Sequence, residues 1–258
     1  MASPAAFDIR RVRAALPPSM QARVHARAPV ESTQSVLLDA PAQWPDRTVV
    51  VTDHQTAGRG RRGRDWVSAP GASLALSMLA RQPARQRWLP SVSLALGVAA
   101  VEAVHKLGAI PVRLKWPNDL VVGGHKLGGI LVETCPAGIV AGAGINQALS
   151  SDLRAAIGSP CTDLAALGAR ATLEQLAVAL IVNWNRALDL FAHDGLAAFH
   201  DRWRALDALA DRPVTVWTDA HESVDGIARG IDPHGRLQVE IDGQLRVFAA
   251  ADVSVRTA

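Results

Sequence analysis

Four arginines and three glycines alternate between positions 58 and 64, and Trp66 follows them. Arginine guanidinium groups bind phosphate and carboxylate oxygens through paired hydrogen bonds. The intervening glycines give the backbone the freedom to fold down over a ligand and exclude water. The segment therefore predicts a cationic loop that closes over a phosphate-bearing ligand. A solvated surface loop and an RGG-like RNA-binding segment are the alternatives.

A second polar block, Lys-Trp-Pro-Asn-Asp-Leu, covers positions 115–120. Proline fixes the backbone of the turn, so that Lys115 and Asp119 are held in one small region. A lysine ammonium can meet a phosphate, and a carboxylate can hold Mg²⁺. The other interpretation is an ordinary turn that ends a strand, with Asn118 and Asp119 as turn residues.

Two further segments contain glycines in apolar surroundings. Lys126 precedes an apolar run in which Gly128 and Gly129 would let a ligand or another backbone approach closely; an edge-strand lysine is the alternative. Residues 142–146 resemble part of a dinucleotide-binding fingerprint, but the third glycine and the following helix are missing. This favours a strand end built from small residues, with Asn146 facing a ligand.

Short β-branched runs and amphipathic stretches predict an α/β domain that positions these residues. Strands are predicted over residues 48–52, 73–79, 112–116, 127–133 and 139–145. Helices are predicted over residues 89–107, 172–191 and 196–206, the second with Thr172 as its N-cap. Gly123 and Gly124 predict a tight type I′ hairpin turn before Lys126.

The pattern changes at residues 211–213, Asp-Arg-Pro. Beyond them, strands are predicted over residues 214–218, 223–231, 237–241 and 245–248, with Asp242-Gly243 as a hairpin turn. This predicts a small barrel at residues 211–258, appended to a larger domain at residues 23–210. Residues 1–22 are rich in proline and arginine and are predicted to be a poorly ordered or loosely docked arm.

Composition narrows the function classes. Hydrophobic residues make up 49% of the 258 residues and charged residues 20%, which supports a sizeable core. A net charge of +3 suits an anionic ligand such as a nucleotide without requiring nucleic acid. The two cysteines, Cys135 and Cys161, do not form a metal or disulfide pattern. Because no signal peptide and no apolar run of about 20 residues is present, we expect a cytoplasmic protein that does not enter the membrane.

In this order, the segments resemble the biotin–protein ligases, also called biotin–[acetyl-CoA-carboxylase] ligases. The resemblance runs from about residue 24 to the end of the chain, and the arginine–glycine loop together with the Lys-Trp-Pro-Asn-Asp block is highly specific. It includes residues 31–34, 55–66, 115–120, 126–133, 142–146 and 229–232. The chain departs from the family at Gln34, where Asn is usual. Because only about 22 residues precede the match, we expect the ligase-only class, without an N-terminal helix-turn-helix domain.

The resemblance implies an α/β (α+β) fold: a mixed sheet with flanking helices, similar to class II aminoacyl-tRNA synthetases, and a C-terminal SH3-like barrel. It also implies site residues. Those for biotin are Ser32, Thr33, Gln34, Gln55, Gly58, Gly60, Arg61, Arg62, Trp66, Lys126 and Gly129. Those for ATP are Arg62, Trp66, Lys115, Asn118, Asp119 and Asn146. Lys126, Arg61 and Arg62 would be catalytic, and Asp119 would hold Mg²⁺.

The implied activity uses biotin, ATP and Mg²⁺ to form biotinyl-5′-AMP, and then biotinylates one lysine of a biotin carboxyl carrier protein. Its implied partner is the carrier domain of acetyl-CoA carboxylase; a homodimer is compatible with the sequence, and no specific DNA binding is expected. A lipoate or octanoate ligase, an inactive biotin-binding module and a nucleic-acid-binding regulator are the alternatives. The chain has no tyrosine, and no aromatic platform accompanies the arginines, which counts against the regulator.

Overall fold

The computed structural model describes residues 7–27, 29–81, 89–108, 110–217, 222–249 and 254–257. The first part of the chain contains the strands β1 (Val24–Ala26), β2 (Val49–Thr52), β3 (Gly58–Arg59), β4 (Asp65–Trp66), β5 (Ser73–Ala80), β6 (Arg113–Lys115), β7 (Asp119–Val122), β8 (His125–Cys135) and β9 (Gly138–Asn146). Seven of these form one mixed sheet in the order β1-β2-β5-β9-β8-β7-β6. Only β1 and β2 pair in parallel within it, and β3 and β4 form a separate hairpin.

The helices are α1 (Ile9–Ala15), α2 (Pro18–Gln21), α3 (Thr33–Asp39), α4 (Leu89–His105), α5 (Ser151–Ile157), α6 (Leu173–Asp194) and α7 (His200–Leu206). Thr172 caps α6 in a capping box with Gln175, as the Thr172 N-cap predicted. The helix predicted over residues 196–206 is divided between a 3-10 turn and α7. No helix in the described part of the chain combines the length and apolar character needed to cross a membrane.

The two faces of the central sheet carry side chains of different size. Along β5, Leu74, Leu76 and Met78 alternate with Ser73, Ala75 and Ser77, so that the large residues share one face. The large residues belong to a core that also contains the buried side of α4 and α6. On the opposite face, α3 packs through Leu37 against Val50, Leu79 and Val140, which form a smaller cluster. Next to this cluster, the same face carries small residues at Ala75, Ser77, Gly142 and Gly144.

Residues 7–22 are more tightly docked than predicted. Val12 and Leu16 are fully buried in the main core, and Arg13 donates from Nε and Nη2 to the carbonyl of Val24 on the edge strand β1. The expectation of a loosely docked arm was wrong for this segment. The reason is that Val12 on α1 and Leu16 at its C-cap are one helical turn apart, so both can be buried where α1 packs against α6.

The C-terminal part is an antiparallel sheet of five strands. They are β10 (Pro213–Trp217), β11 (Ser223–Ile231), β12 (Leu237–Ile241), β13 (Gln244–Phe248) and β14 (Ser254–Thr257), in the order β13-β12-β11-β10-β14. Asp242 and Gly243 have positive φ angles at the predicted hairpin turn. The last strand was not predicted, and closure into an SH3-like barrel stays a prediction. Val216, Ile231, Leu237 and Val239 join the same core as the first sheet.

The connection between the two sheets contains a buried carboxylate. Asp207 follows α7 and is 2% exposed; its Oδ1 accepts from the amide of Leu209, and its Oδ2 has no hydrogen-bond partner among the described residues. Burial raises the pKa of Asp207 to about 6. The folded state therefore favours the protonated acid, and stability is lost as the pH rises through about 6.

We predict that Asp207→Asn is more stable than the wild type at pH 8. A pKa raised from 3.8 to about 6 corresponds to about 3 kcal/mol, which the amide would recover because it does not ionise. The difference in the free energy of unfolding, measured by urea denaturation, should shrink towards zero below about pH 4. Asp242→Asn, at an exposed turn position, is the matched control. A difference for Asp207→Asn that does not vary with pH would contradict the prediction.

Candidate active site

A cleft of about 900 Å³ lies on the face of the sheet that carries small residues. Its floor includes Ala75, Ser77, Gly129, Gly142 and Gly144. In the strand register Ser77 pairs with Gly142, Ala75 with Gly144, and Gly144 with Gly129, so these positions lie side by side. Larger side chains at these positions would fill the cleft.

One end of the cleft is lined by uncharged hydrogen-bonding groups at the start of α3. Ser32 is the N-cap of this helix and accepts from the amide of Gln34. The Oε1 of Gln55 accepts from the backbone amide of Thr33 at 2.8 Å and from its Oγ1 at 3.2 Å. All four side chains are buried. A buried group of donors and acceptors without net charge is suited to a neutral polar ligand.

Ser77, which the sequence analysis did not select, joins this end of the cleft. Its Oγ lies 2.8 Å from Oγ1 of Thr33 and donates to Oε1 of Gln34 at 3.0 Å. The Nε2 of Gln34 donates to the carbonyl of Val140 at 2.9 Å. Gln34, which stands where the family usually has Asn, is therefore hydrogen-bonded to other groups of the protein. The signal for Ser77 was its small polar side chain at an alternate position of an otherwise apolar strand.

The arginine–glycine segment forms a hairpin at the cleft. Gly58 pairs with Trp66 and Arg59 with Asp65, while the amide of Gly60 donates to the carbonyl of Arg64 at 2.7 Å. Gly58 is the one predicted site residue that does not line the cleft. A Cβ at Gly58 would lie 2.5 Å from the carbonyl oxygen of Trp66, so glycine is required for this close pairing.

Two arginines attach the hairpin to the sheet. Nη2 of Arg59 lies 2.9 Å from Oε1 of Glu133 on β8, and Nη1 of Arg61 donates to Oδ1 of Asn118 at 3.3 Å. Burial, followed by the neighbouring charge of Arg62, lowers the pKa of Arg61. The desolvated guanidinium of Arg61 would gain electrostatic energy from an anionic ligand in the cleft.

The indole of Trp66 packs directly on the floor. A Cβ built on Gly144 would lie 2.6 Å from Cε2 of Trp66. Trp66 thus closes the hairpin against β9, and only glycine leaves room for the ring.

At the charged end of the cleft, Nζ of Lys126 lies 2.7 Å from Oδ1 of Asp119. Both side chains are about one-third exposed. The Lys126 side chain passes close over Gly129, since a Cβ built there would lie 3.4 Å from Cε of Lys126 and 3.5 Å from its Nζ. Lys126, which was predicted to bind biotin, is therefore ion-paired with Asp119, which was predicted to lie at the ATP site.

The block at residues 115–120 forms the tip and arms of the β6–β7 hairpin. Lys115 pairs with Asp119 in the strand register, and the peptide bond between Trp116 and Pro117 is cis. Nδ2 of Asn118 donates to the carbonyl of Ile130 at 2.8 Å, which joins the tip to β8. Both Lys115 and Asp119 line the cleft, as expected from a turn that holds them together.

Asn146 fixes a further wall of the cleft. Its Nδ2 donates to the carbonyl of Thr162 at 3.0 Å, and the amide of Thr162 donates to the carbonyl of Lys126 at 2.9 Å. The segment held this way brings Pro160 and Cys161 to the cleft. Nothing in the sequence indicated these two residues, because their position depends on a contact with β8 that is distant in the chain.

The predicted site residues other than Gly58 thus surround one cleft, whereas their individual roles stay predictions. Among the described residues, no group of three or more His, Cys, Asp or Glu side chains could hold a metal ion.

Comparisons with known proteins agree with this geometry. The profile of the Biotin/lipoate A/B protein ligase family matches residues 27–147, and that of the Biotin protein ligase C terminal domain matches residues 211–256. The chain is 39% identical over 234 residues to the Bifunctional ligase/repressor BirA of Salmonella typhimurium, covering 89% of this chain and 73% of that protein. The chain belongs to the biotin protein ligase family.

Other members of the biotin protein ligase family agree. The chain is 34% identical over 238 residues to the Biotin--[acetyl-CoA-carboxylase] ligase of Mycobacterium tuberculosis, covering 86% of this chain and 85% of that protein. The structure of a biotin protein ligase from Aquifex aeolicus in complex with biotin and ATP matches with a TM-score of 0.79 and 23% identity, covering 92% of this chain and 99% of that chain. This likeness confirms the predicted fold class, a mixed sheet with flanking helices and a C-terminal sheet.

We predict that Gly144→Ala loosens the hairpin at residues 58–66. The added methyl would overlap the indole of Trp66, which must move off β9. Limited digestion with trypsin should then cleave after the arginines of the hairpin several times faster than in the wild type. Cleavage after the exposed Arg170 provides an internal reference. Unchanged cleavage of the hairpin relative to Arg170 would show that Trp66 does not hold it.

Proposed function

We propose that this chain activates biotin with ATP to form biotinyl-5′-AMP and then transfers the biotinyl group to a lysine of a carrier domain of acetyl-CoA carboxylase. The observation that carries the proposal is a single cleft with an uncharged hydrogen-bonding end and a cationic end, in a member of this family. The names of the relatives support the substrates. One is a Biotin--[acetyl-CoA-carboxylase] ligase, and solved structures of similar fold contain biotin and ATP or biotinylated ATP.

The uncharged end suits the bicyclic head of biotin. Its urea group offers N–H donors and a carbonyl acceptor, which match the hydroxyls of Ser32 and Thr33 and the amide of Gln55. The apolar ring system would lie on the floor, where Gly142 and Gly129 expose backbone instead of side chains. A site built to hydrogen-bond a urea would reject a lipoyl or octanoyl group, because its buried polar atoms would then be left unpaired.

The charged end suits the reacting groups. A carboxylate oxygen of biotin forms a bond to the α-phosphorus of ATP, the bond from that phosphorus to the bridging oxygen breaks, and pyrophosphate leaves. This step brings an anion against a polyanion. Lys126 and Arg61 offset the repulsion and stabilise the charge that develops on the phosphoryl oxygens.

Asp119 positions Lys126 before the reaction. The ion pair at 2.7 Å holds the ammonium group at the charged end of the cleft. Mg²⁺ held by phosphates needs only one or two protein carboxylates, and Asp119 fits that requirement as an oxygen donor at this end. When bound, Mg²⁺ would neutralise phosphate charge.

The second reaction transfers the biotinyl group. The amine of the carrier lysine attacks the acyl carbon, loses a proton and forms an amide bond, and AMP leaves with the electrons of the anhydride bond. Because water would destroy the mixed anhydride, the hairpin at residues 58–66 must cover it until the carrier arrives. Its attachments through Arg59 and Arg61 support this role. Homodimer formation, the absence of specific DNA binding and a cytoplasmic location stay predictions.

The decisive experiment incubates the purified protein with ATP, Mg²⁺, a biotin carrier domain and, in separate reactions, biotin, lipoate or octanoate. Mass spectrometry of the carrier should show a biotinyl adduct that requires ATP. An adduct with lipoate or octanoate but none with biotin would contradict the proposal and identify a lipoate-type ligase. Tight biotin binding without any adduct would identify an inactive binding module.

We predict that Lys126→Ala loses at least about 100-fold in the rate of biotin-dependent pyrophosphate release, since removal of one preorganised charge typically costs 10²–10³ in rate. The same change also leaves Asp119 without its ion-pair partner. Lys106→Ala is the control and should keep the wild-type rate. Lys106 follows α4, does not line the cleft, and donates from Nζ to Oδ1 of Asn183 on α6. Pyrophosphate release by Lys126→Ala at the wild-type rate would remove Lys126 from the mechanism.

We predict that Arg61→Gly releases biotinyl-AMP from the cleft several times faster than the wild type. The variant loses the bond to Asn118 and one cation facing the adenylate. Free biotinyl-AMP in a filtrate, and biotin on lysines of an added bystander protein, would both increase. Arg64→Ala, in the same hairpin, tests whether the loss of any one arginine is enough to speed the release of biotinyl-AMP. Equal retention of the adenylate by Arg61→Gly and the wild type would contradict a covering role for this hairpin.

A further inference from the structure

One turn of the C-terminal part reaches the first part of the chain directly behind the β6–β7 hairpin. Nε1 of Trp116, at the tip of that hairpin, donates to the carbonyl of Gly235 at 3.0 Å. The bond is buried, and Trp116 is 2% exposed. It joins a residue between Lys115 and Asp119 to the turn between β11 and β12.

The turn at residues 232–235 is rigid by its own hydrogen bonds. Oδ1 of Asp232 accepts from the amides of His234 at 2.9 Å and Arg236 at 2.8 Å, and Nε of Arg236 donates to Oδ2 at 2.7 Å. The amide of Gly235 donates to the carbonyl of Asp232 at 2.9 Å. Asp232 is itself buried. The carbonyl that receives Trp116 is therefore fixed in space.

The same turn is seated against α4. Gly235 has φ +80°, and a Cβ there would lie 2.7 Å from Cδ1 of Leu94 and 3.2 Å from Cδ2 of Leu196. Oγ of Ser91 donates to the carbonyl of His234 at 3.2 Å. The positive φ favours glycine at this position. The turn is therefore packed against Leu94 and Leu196 and hydrogen-bonded to Ser91.

We infer that the turn at residues 232–235 positions the cationic end of the cleft for ATP through its hydrogen bond to Trp116. Trp116 lines the cleft but is 2% exposed, and its indole nitrogen is bonded to protein, so it is a positioning residue whose effect passes through the hairpin tip. The tip connects two arms that carry Lys115 and Asp119 side by side in the strand register. Asp119 in turn holds Lys126.

This inference rests on the proposed function, since it concerns the nucleotide end of the same cleft. It adds that the single bond from Trp116 to Gly235 acts on ATP affinity and not on biotin affinity. The biotin end is built on α3 and β5, and its bonds among Thr33, Gln34, Gln55 and Ser77 include no atom of the C-terminal part.

The test compares Trp116→Phe with Trp184→Phe in the full chain. Each variant keeps an aromatic ring and loses one buried indole donor, since Nε1 of Trp184 donates to the carbonyl of Leu96 at 3.1 Å. Trp184 lies on α6 and does not line the cleft. Loss of one buried hydrogen bond should raise the KM for ATP of Trp116→Phe by roughly fivefold, with the KM for biotin within twofold of the wild type. Trp184→Phe should change neither constant.

A purely structural role for Trp116 would raise the KM for ATP and the KM for biotin together. It could also change the KM for ATP equally in Trp116→Phe and Trp184→Phe. Either result would overturn the inference. If circular dichroism shows that Trp116→Phe is unfolded, the comparison uses Ser91→Ala, which removes another bond to the same turn and leaves the cleft intact. A wild-type KM for ATP in a folded Ser91→Ala would then overturn it. Failure of the wild type to form biotinyl-AMP would instead reject the proposed function, before any variant is compared.

Discussion

The structure depends on an unequal division of side-chain volume between the two faces of the central sheet. Large apolar residues on β5 and β9 face α4 and α6, where their burial supplies the main hydrophobic stabilisation. Small residues face the other way, and α3 covers only part of that face. The cleft therefore lies over a region of sheet surface where several neighbouring positions carry small side chains or none. Gly142 and Gly144 set its depth, because the atoms of Gln34 and Trp66 occupy the space that a Cβ would need.

The charges of the cleft follow from that geometry. Arg61 is attached to the tip of the β6–β7 hairpin by Asn118, and Lys126 is held by Asp119. Burial works against the charge of Arg61, as the direction of its pKa shows. A cationic group placed in this way gains more from a polyanion than a solvated one would. The strands thus concentrate positive charge at the end of the cleft opposite the neutral hydrogen-bonding group of α3.

The sequence predicted most of the strands because their patterns are local. Two glycines gave the turn before Lys126, and both have positive φ. By contrast, α3 was missed, since its buried Thr33 and Gln34 break the apolar pattern that indicates a helix. Ser77 was missed because its role depends on which strand lies opposite it.

In the candidate site, too, the sequence did not reveal contacts between residues that are not neighbours in the chain. The sequence selected residues that line one cleft, but it could not show that Asp119 and Lys126 pair with each other, since the two lie on neighbouring strands. Pro160 and Cys161 reach the cleft through a contact with β8 that leaves no local pattern. Propensity and spacing describe neighbours in the chain, whereas these contacts are set by tertiary packing.

Ile231, Leu237 and Val239 share one hydrophobic core with α4, so the two sheets are joined by apolar packing. Opening the C-terminal strands would expose apolar surface of the larger sheet, so we expect the two sheets to unfold together. A destabilising mutation in the smaller sheet should then lower the free energy of unfolding of the whole chain. The two sheets are in this respect one folding unit and not two separable modules.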